Sequence, residues 1–329
     1  MKKNIEKSGR LVYMNGEFVD EVDAKVSIFD SALMFGDMVF EMTRSFNKKQ
    51  FKLKEHIERL YLGLKILRIP IHLSKQELEH ACYETIEKND PVFDENDEHR
   101  LMINISRGPL GIYAPVFGGK LESTVIIADF PLKWTVASMA KFYDKGINSV
   151  IPSQRAIPAT LMDPKIKNRS RMWYQMANIE VSQIEGDNNW ALLIDPDGYI
   201  AEGTGDNFFM VKDGKLLTPE GRNILRGISR EYVMDLAKEL GIPCQECNIE
   251  PYDLYNADEA FLTGTPFGII PTTQLNGLDI GNGKMGQITH QLLDRWSKNV
   301  GVDIVKQIQD FAKGIELSKN NKAPTPYQF

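Results

Sequence analysis

Cysteine is scarce. Three residues in 329 cannot build a disulfide framework, which excludes the stapled scaffolds of small secreted proteins. Basic residues are not in excess either: 39 Lys and Arg stand against 45 Asp and Glu, a net charge of −6. Nucleic acid, which asks for a basic face, is not an expected partner. No apolar run approaches the roughly 20 residues that span a bilayer, so no membrane is expected. The five histidines (His56, His72, His80, His99, His290) show no ligand spacing, so no metal site is expected. Cys244 and Cys247 form a C-x-x-C. They follow a helix expected to end at Gly241 and lie in an expected strand, where positions i and i+3 face opposite ways and the sulfurs diverge. Internal repeats and low-complexity tracts are absent.

What remains is an ordinary soluble composition, 42% apolar and 26% charged. The length suits one large or two medium domains and lets roughly three quarters of the unfolded surface be buried. The opening "MKKNIEKSGR" runs into "LVYMNGEFV", a strand-turn-strand pattern rather than a signal peptide, so the cytoplasm is the expected compartment.

The order of elements predicts a mixed α/β (α+β) protein of two domains. Residues 10–53 read as strands joined by tight turns, including Asn15-Gly16 and "NKKQ". A helix is expected over 54–67, and another begins at Ser74 with Glu77 three residues on, a capping box. The strands "RLMINISRG" and "STVIIADF" complete a small N-terminal domain, 1–131. The pattern lapses over 132–138, an expected linker. A larger domain, 139–313, carries a strand near "INSVI", a helix over 171–184, two hairpins, a helix over 228–240, strands at "EAFLTG" and "IIPTTQL", and the closing helix "GQITHQLLDRWSKNV". Residues 314–329 read as a loose polar tail.

Inside the two hairpins of "DPDGYIAEGTGDNFFMVKDGKLLTP" (195–219), Glu202 sits between Ala201 and Gly203, with Gly205, Asp206 and Asn207 close behind. A carboxylate beside glycines marks a backbone that something approaches closely. "GTGDNF" lacks the third glycine and the strand-to-helix setting of a dinucleotide fingerprint, and "GGKLES" lacks the spacing of a P-loop.

Further segments accompany Glu202: "FGDMVFEMTR" (35–44), "HIERL" (56–60), "PKIKNRSRMWY" (164–174), "NILRGISRE" (223–231) and "FLTGTPFGIIP" (261–271). In order and spacing, from about Met14 to Val300, they resemble the fold type IV pyridoxal-phosphate enzymes, the branched-chain aminotransferase-like class IV family. The resemblance implies pyridoxal 5′-phosphate held as a Schiff base to a lysine that also moves the substrate proton. Lys165 and Lys167 compete for that role. The family's lysine precedes its glutamate by about 32 to 35 residues, and Lys167 lies 35 before Glu202, so Lys167 is expected. By the same resemblance Glu202 pairs with the pyridine nitrogen and keeps the ring an electron sink. Arg59, the amides of Ile228 and Ser229, and Thr265 bind the phosphate.

The strand "VFEMTR" places Phe40, Met42 and Arg44 on one face, which by resemblance lines the substrate pocket; a plain core role for Phe40 and Met42 fits the sequence equally. The expected reaction moves an amino group between a hydrophobic amino acid and a 2-oxo acid, in a homodimer whose sites are completed by a neighbouring small domain. The alternatives are an aminodeoxychorismate lyase, an amine transaminase and a non-catalytic scaffold. The family commonly has an Asn where Ser170 or Arg171 stands, and a Gly at Met42. Its residue after the phosphate threonine donates an amide to the substrate carboxylate. Here that residue is Pro266, which has no N–H. An arginine is therefore expected to hold the carboxylate: Arg44 first, then Arg107, Arg169 or Arg171.

Overall fold

The computed structural model describes residues 8–313, so the expected polar tail lies outside the described residues. Within the described residues the chain forms two compact units, the chain up to Leu132 with Ile166–Ser170, and Lys133–Lys165 with the chain from Arg171 to Lys313.

In the first unit, alternation builds one antiparallel sheet. Its strand order is Glu17–Asp20, Leu11–Met14, Thr124–Pro131, His99–Ser106, Met38–Met42. Leu101, Ile103 and Ile105 alternate with Arg100, Met102 and Asn104, so the two sets lie on opposite faces. The first set packs in one core with Leu53, Ile57, Leu60, Leu64 and Leu78 of the helices Leu53–Leu67 and Lys75–Asn89. The capping box forms: Ser74 Oγ accepts from the Glu77 amide while the Glu77 carboxylate accepts from the Ser74 amide. One element differs from expectation. Residues Ser31–Phe35 are a short helix, not a strand, because Asp30 accepts from the Ala32 amide at 2.8 Å and starts the turn.

The strip Ile166–Ser170 joins this unit through backbone pairing. The Phe40 amide donates to the Lys167 carbonyl at 3.0 Å, and the Arg169 amide to the Met38 carbonyl at 3.1 Å. Lys167 is thereby tied to the edge of the sheet.

The second unit is built on a longer sheet. Strands Ile200–Gly203, Asn189–Ile194, Ile147–Val150, Gly268–Leu275, Glu259–Gly264 and Asn207–Lys212 follow one another. A pairing of Glu202 with Asn207 links the last strand back to the first and closes a ring. Lys215–Pro219 and Cys244–Cys247 extend the sheet beyond that ring. The helices Met172–Ser182, Ile228–Glu239 and Gln287–Val300 match the expected ones in place. Two differences stand out. The stretch expected as a linker is helical over Lys133–Val136 and Ala137–Met139, with Val136 and Ala137 buried. The helix Gln287–Val300 is not the last, since Ile304–Lys313 follows it, burying Ile304, Ile308 and Phe311. It lies inside the expected domain 139–313, where a 3.6-period stripe this short does not by itself mark a helix.

No helix among the described residues is long and apolar enough to cross a membrane.

Candidate active site

In the second unit, ring closure puts Glu202 in the interior at a seam between strands. Tyr174 Oη donates to its Oε1 at 2.6 Å, while Asn207 Nδ2 (3.0 Å) and the Leu225 amide (2.9 Å) donate to its Oε2. Three neutral donors grip the carboxylate, each supplied by a different element. Burial and the negative charge of Glu202 push the Tyr174 hydroxyl well above the ordinary phenol range, so it stays a donor. Asp206 is pushed well above the usual carboxylate range by burial and by Glu202. Its carboxyl packs so closely on Gly203 that a Cβ there would meet Oδ1 at 2.0 Å.

Asn207 carries the network onward. The same Nδ2 donates to the Leu225 carbonyl at 2.9 Å, and Oδ1 lies where a Cβ on Gly227 would meet it at 2.0 Å. Gly227 caps the helix Ile228–Glu239 without a side chain to satisfy the first amides. Ile228 and Ser229 therefore open a helix whose first turn lacks the usual capping oxygen, a setting that favours an anion. Thr265 is half-buried in the turn between Glu259–Gly264 and Gly268–Leu275.

In the first unit, Lys167 places Nζ 4.9 Å from the Phe40 ring centroid. Lys165, its sequence competitor, belongs to the second unit, where Nζ pairs with Asp163 at 2.8 Å and donates to the Arg222 carbonyl. Arg59 donates from Nε and Nη2 to the two oxygens of Glu41 at 2.6 and 2.9 Å, and His56 Nδ1 lies 2.7 Å from the same carboxylate. Burial opposes ionisation of Glu41, yet the Arg59 charge and the His56 contact hold its carboxyl far below the usual range. Burial holds His56 below the ordinary imidazole range, so His56 is a neutral donor from Nδ1. The guanidinium of Arg59 is thus fixed in orientation before any ligand arrives.

The structure gives each expected carboxylate arginine its own surroundings. The strand ends at Met42, so its alternation does not reach Arg44. That side chain is fully buried, its Nε donating to the Ser45 carbonyl at 3.0 Å and its guanidinium 3.8 Å from the Phe46 ring centroid. Arg107 is engaged by Asp37 and by the carbonyls of Leu67 and Arg68 at the end of a helix. Arg169 lies over Phe40 and donates twice to Asn104 Oδ1. Arg171 lies 5.1 Å from the Tyr174 ring centroid.

A different arginine stands out. Arg100 is 6% exposed, and its Nε and Nη1 are buried with no hydrogen-bond partner among the described residues. Its Nη2 points at Met42 Sδ, 3.8 Å away. Burial lowers its pKa to about 10, still far above neutrality. Register sets its surroundings: Met42 faces Met102, Met102 faces Ala128, and Arg100 faces Phe130. The immediate surroundings of Arg100 on that face, Met42, Met102, Ala128 and Phe130, are apolar. Orphaned buried donors of this kind call for an anion. Sequence reasoning passes over Arg100, Tyr174 and Asn207, and the first two have nothing local to mark them. Asn207 alone carries a signal, its place in "EGTGDN".

Residues 38–275 match the family described as Amino-transferase class IV. The branched-chain-amino-acid aminotransferase of Escherichia coli strain K12 is 34% identical over 292 residues, 87% of this chain and 91% of that one. The crystal structure of the E. coli branched-chain amino acid aminotransferase superimposes with a TM-score of 0.79 at 31% identity, covering 89% of this chain and 94% of that one. The T.th. branched-chain amino acid aminotransferase, complexed with N-(5′-phosphopyridoxyl)-L-glutamate, superimposes with a TM-score of 0.78 at 29% identity, covering 90% and 96% of the two chains. The same enzyme complexed with 4-methylvaleric acid gives 0.76 at 30% identity over 91% and 96%.

The chain belongs to the class IV aminotransferase family. It is a pyridoxal-phosphate-dependent aminotransferase of fold type IV. Each unit by itself carries groups of the kinds that cofactor needs: a primary amine and a guanidinium held by Glu41 in the first, a buried carboxylate and an uncapped helix start in the second.

Proposed function

We propose that this enzyme moves an amino group between an apolar, branched-chain-type amino acid and an acidic 2-oxo acid. Pyridoxal phosphate, when bound, supplies the electron sink that a carbanion next to the amino nitrogen needs. Lys167 is the residue that holds the cofactor and carries the proton at Nζ to and from the substrate carbon. Glu202 would pair with the ring nitrogen and favour its protonated form, because a nearby carboxylate stabilises a cation. The phosphate goes to Arg59, to the amides of Ile228 and Ser229 and to the Thr265 hydroxyl.

Phe40, Met42, Met102 and Phe130 form the apolar side of the substrate wall, and Arg100 is its anionic anchor. Pro266 removes one turn amide from the carboxylate that all these substrates share; Arg100 answers instead the side-chain carboxylate of the acidic one. The T.th. relative, crystallised with both a glutamate derivative and 4-methylvaleric acid, supports a wall that accepts acidic and apolar side chains in turn. The observation that carries the substrate reading is Arg100, a buried cation with orphaned donors in an apolar wall.

We place the working enzyme in the cytoplasm, as suits three free thiols (Cys82, Cys244, Cys247), and take it to be a homodimer. Leu33, Phe35 and Ile112 of the first unit are 66%, 67% and 76% exposed, and Met172, Met176 and Ile179 share an exposed helix face in the second. A second copy of the chain is the occupant we assign to these surfaces; a fully active monomer in sedimentation would overturn that.

Leucine, isoleucine and valine offered with 2-oxoglutarate should give the matching 2-oxo acids and glutamate. Transfer confined to amines lacking a carboxylate would sink the substrate assignment.

A further inference from the structure

Among the described residues, Met42 is the one partner of a guanidinium that is otherwise stranded. The Arg100 Nη2–H points at the Met42 sulfur at 3.8 Å, while Nε and Nη1 find no acceptor. A thioether is a weak acceptor on a flexible chain with three rotatable bonds. It satisfies a donor partly and leaves easily. Leucine at this position would fill similar space with no acceptor. The strand register sets Met42 beside Met102, on the same face as Arg100 and opposite the face that packs on the core helices. Both groups are half-buried or buried, so water does not freely replace the sulfur.

We infer that Met42 is a specificity-determining residue that acts as a displaceable cap on Arg100. With an apolar side chain in the pocket, the sulfur stays on the guanidinium and spares the complex a bare buried cation. With an acidic side chain, the carboxylate takes the guanidinium and the Met42 side chain swings to another rotamer. One pocket then serves both halves of the reaction without rearranging its backbone. This rests on Arg100 being the anionic anchor of the proposed function.

The test uses the holoenzyme and two variants, with leucine and glutamate compared as donors by kcat/KM. The binding of 4-methylvalerate and glutarate is measured by calorimetry alongside. Met42→Leu keeps volume and removes the acceptor. It should raise the glutamate-to-leucine ratio roughly three- to tenfold, the scale of one modest hydrogen bond, and shift glutarate against 4-methylvalerate in the same sense. Arg100→Gln should lower the ratio, costing glutamate far more than leucine. A Met42→Leu ratio within experimental error of the parent, with Arg100→Gln still discriminating, overturns the cap and leaves the anchor standing. Equal losses on both donors in Arg100→Gln overturn the anchor, and the cap with it. Matching thermal midpoints for Met42→Leu and the parent separate a specificity change from a folding defect.

Discussion

Two buried glutamates, one in each unit, are used in opposite ways. Glu41 is met by charge: Arg59 takes both its oxygens and His56 adds a third contact, so its negative charge is spent on orienting a cation. Glu202 is gripped by a phenol, a carboxamide and a backbone amide. Neutral donors stabilise a carboxylate without cancelling it, which suits the ring-nitrogen role proposed for Glu202. The first arrangement holds a guanidinium still, as its proposed phosphate role asks; the second keeps a negative potential in place. Exchanging the two would disable each. An arginine across Glu202 would neutralise it, and neutral partners around Glu41 would leave Arg59 free to turn.

The largest expected effect removes what both glutamates serve. Lys167→Ala should lower turnover by about 10⁴-fold or more, since positioned proton transfer alone contributes up to about that factor. Borohydride reduction of the parent followed by peptide mapping should find the adduct on Lys167. An adduct on Lys165 would contradict the assignment.

The next pair tests the contrast itself. Glu202→Gln should cut kcat by roughly 10² to 10³, the scale on which a lost preorganised charge acts, while cofactor affinity measured by absorbance titration changes little. Glu41→Gln should do the reverse. Freeing Arg59 from a charged partner removes about 1.5–3 kcal/mol of hydrogen bonding, read as cofactor lost on dialysis, with kcat at saturating cofactor much less affected. Identical phenotypes for the two variants would end the distinction.

A smaller effect comes from Arg44, buried and engaged within its own hairpin. Arg44→Ala should lower stability by about 1–3 kcal/mol, the cost of stranding a buried acceptor. Activity on every donor should fall in proportion. A selective rise in KM for carboxylate-bearing donors would return Arg44 to the pocket.

The smallest effect is a pH dependence at one end of the first sheet. His99 lies between Asp129 (2.8 Å) and Asp90 (2.9 Å) and stacks on Phe93. Burial disfavours its charge, but the two aspartates outweigh burial and raise its pKa. Burial raises Asp129 to about 6, His99 pulling the other way. Both folded-state values lie above their unfolded ones, so the folded state binds protons more tightly and stability falls as pH rises. The loss begins above the unfolded aspartate value of 3.8 and continues through about 6 and past the ordinary imidazole value of 6.5. The thermal midpoint should drop by about 2–4 °C on this account, what roughly 1 kcal/mol is worth at such a size. Asp129→Asn should flatten the slope, and an unchanged slope would rule the pair out.

Much of the fold is legible in short runs of residues. The capping box at Ser74 and Glu77, the Asp213-Gly214 turn and the helix stop at Gly241 are decided within a few positions, and the structure has each where the residues place it. The family is legible too, because six motifs in a fixed order leave few alternatives. Ser31–Phe35 reads as strand from its residues and folds as helix, since an apolar five-residue run carries both periodicities at that length. Arg44 is misplaced by parity because the alternation stops with the strand at Met42.

Caps, turns and motif spacings depend on near neighbours, so the primary structure alone settles the local elements and, through the order of its motifs, the chemistry the chain belongs to. Which groups answer Glu202, and which arginine is left without an acceptor, it leaves open. Tyr174 and Leu225 reach Glu202 from 28 and 23 residues away, and Arg100 meets Met42 across 58. Those meetings depend on strand register and ring closure, which are set by the packing of whole sheets rather than by any short run of residues.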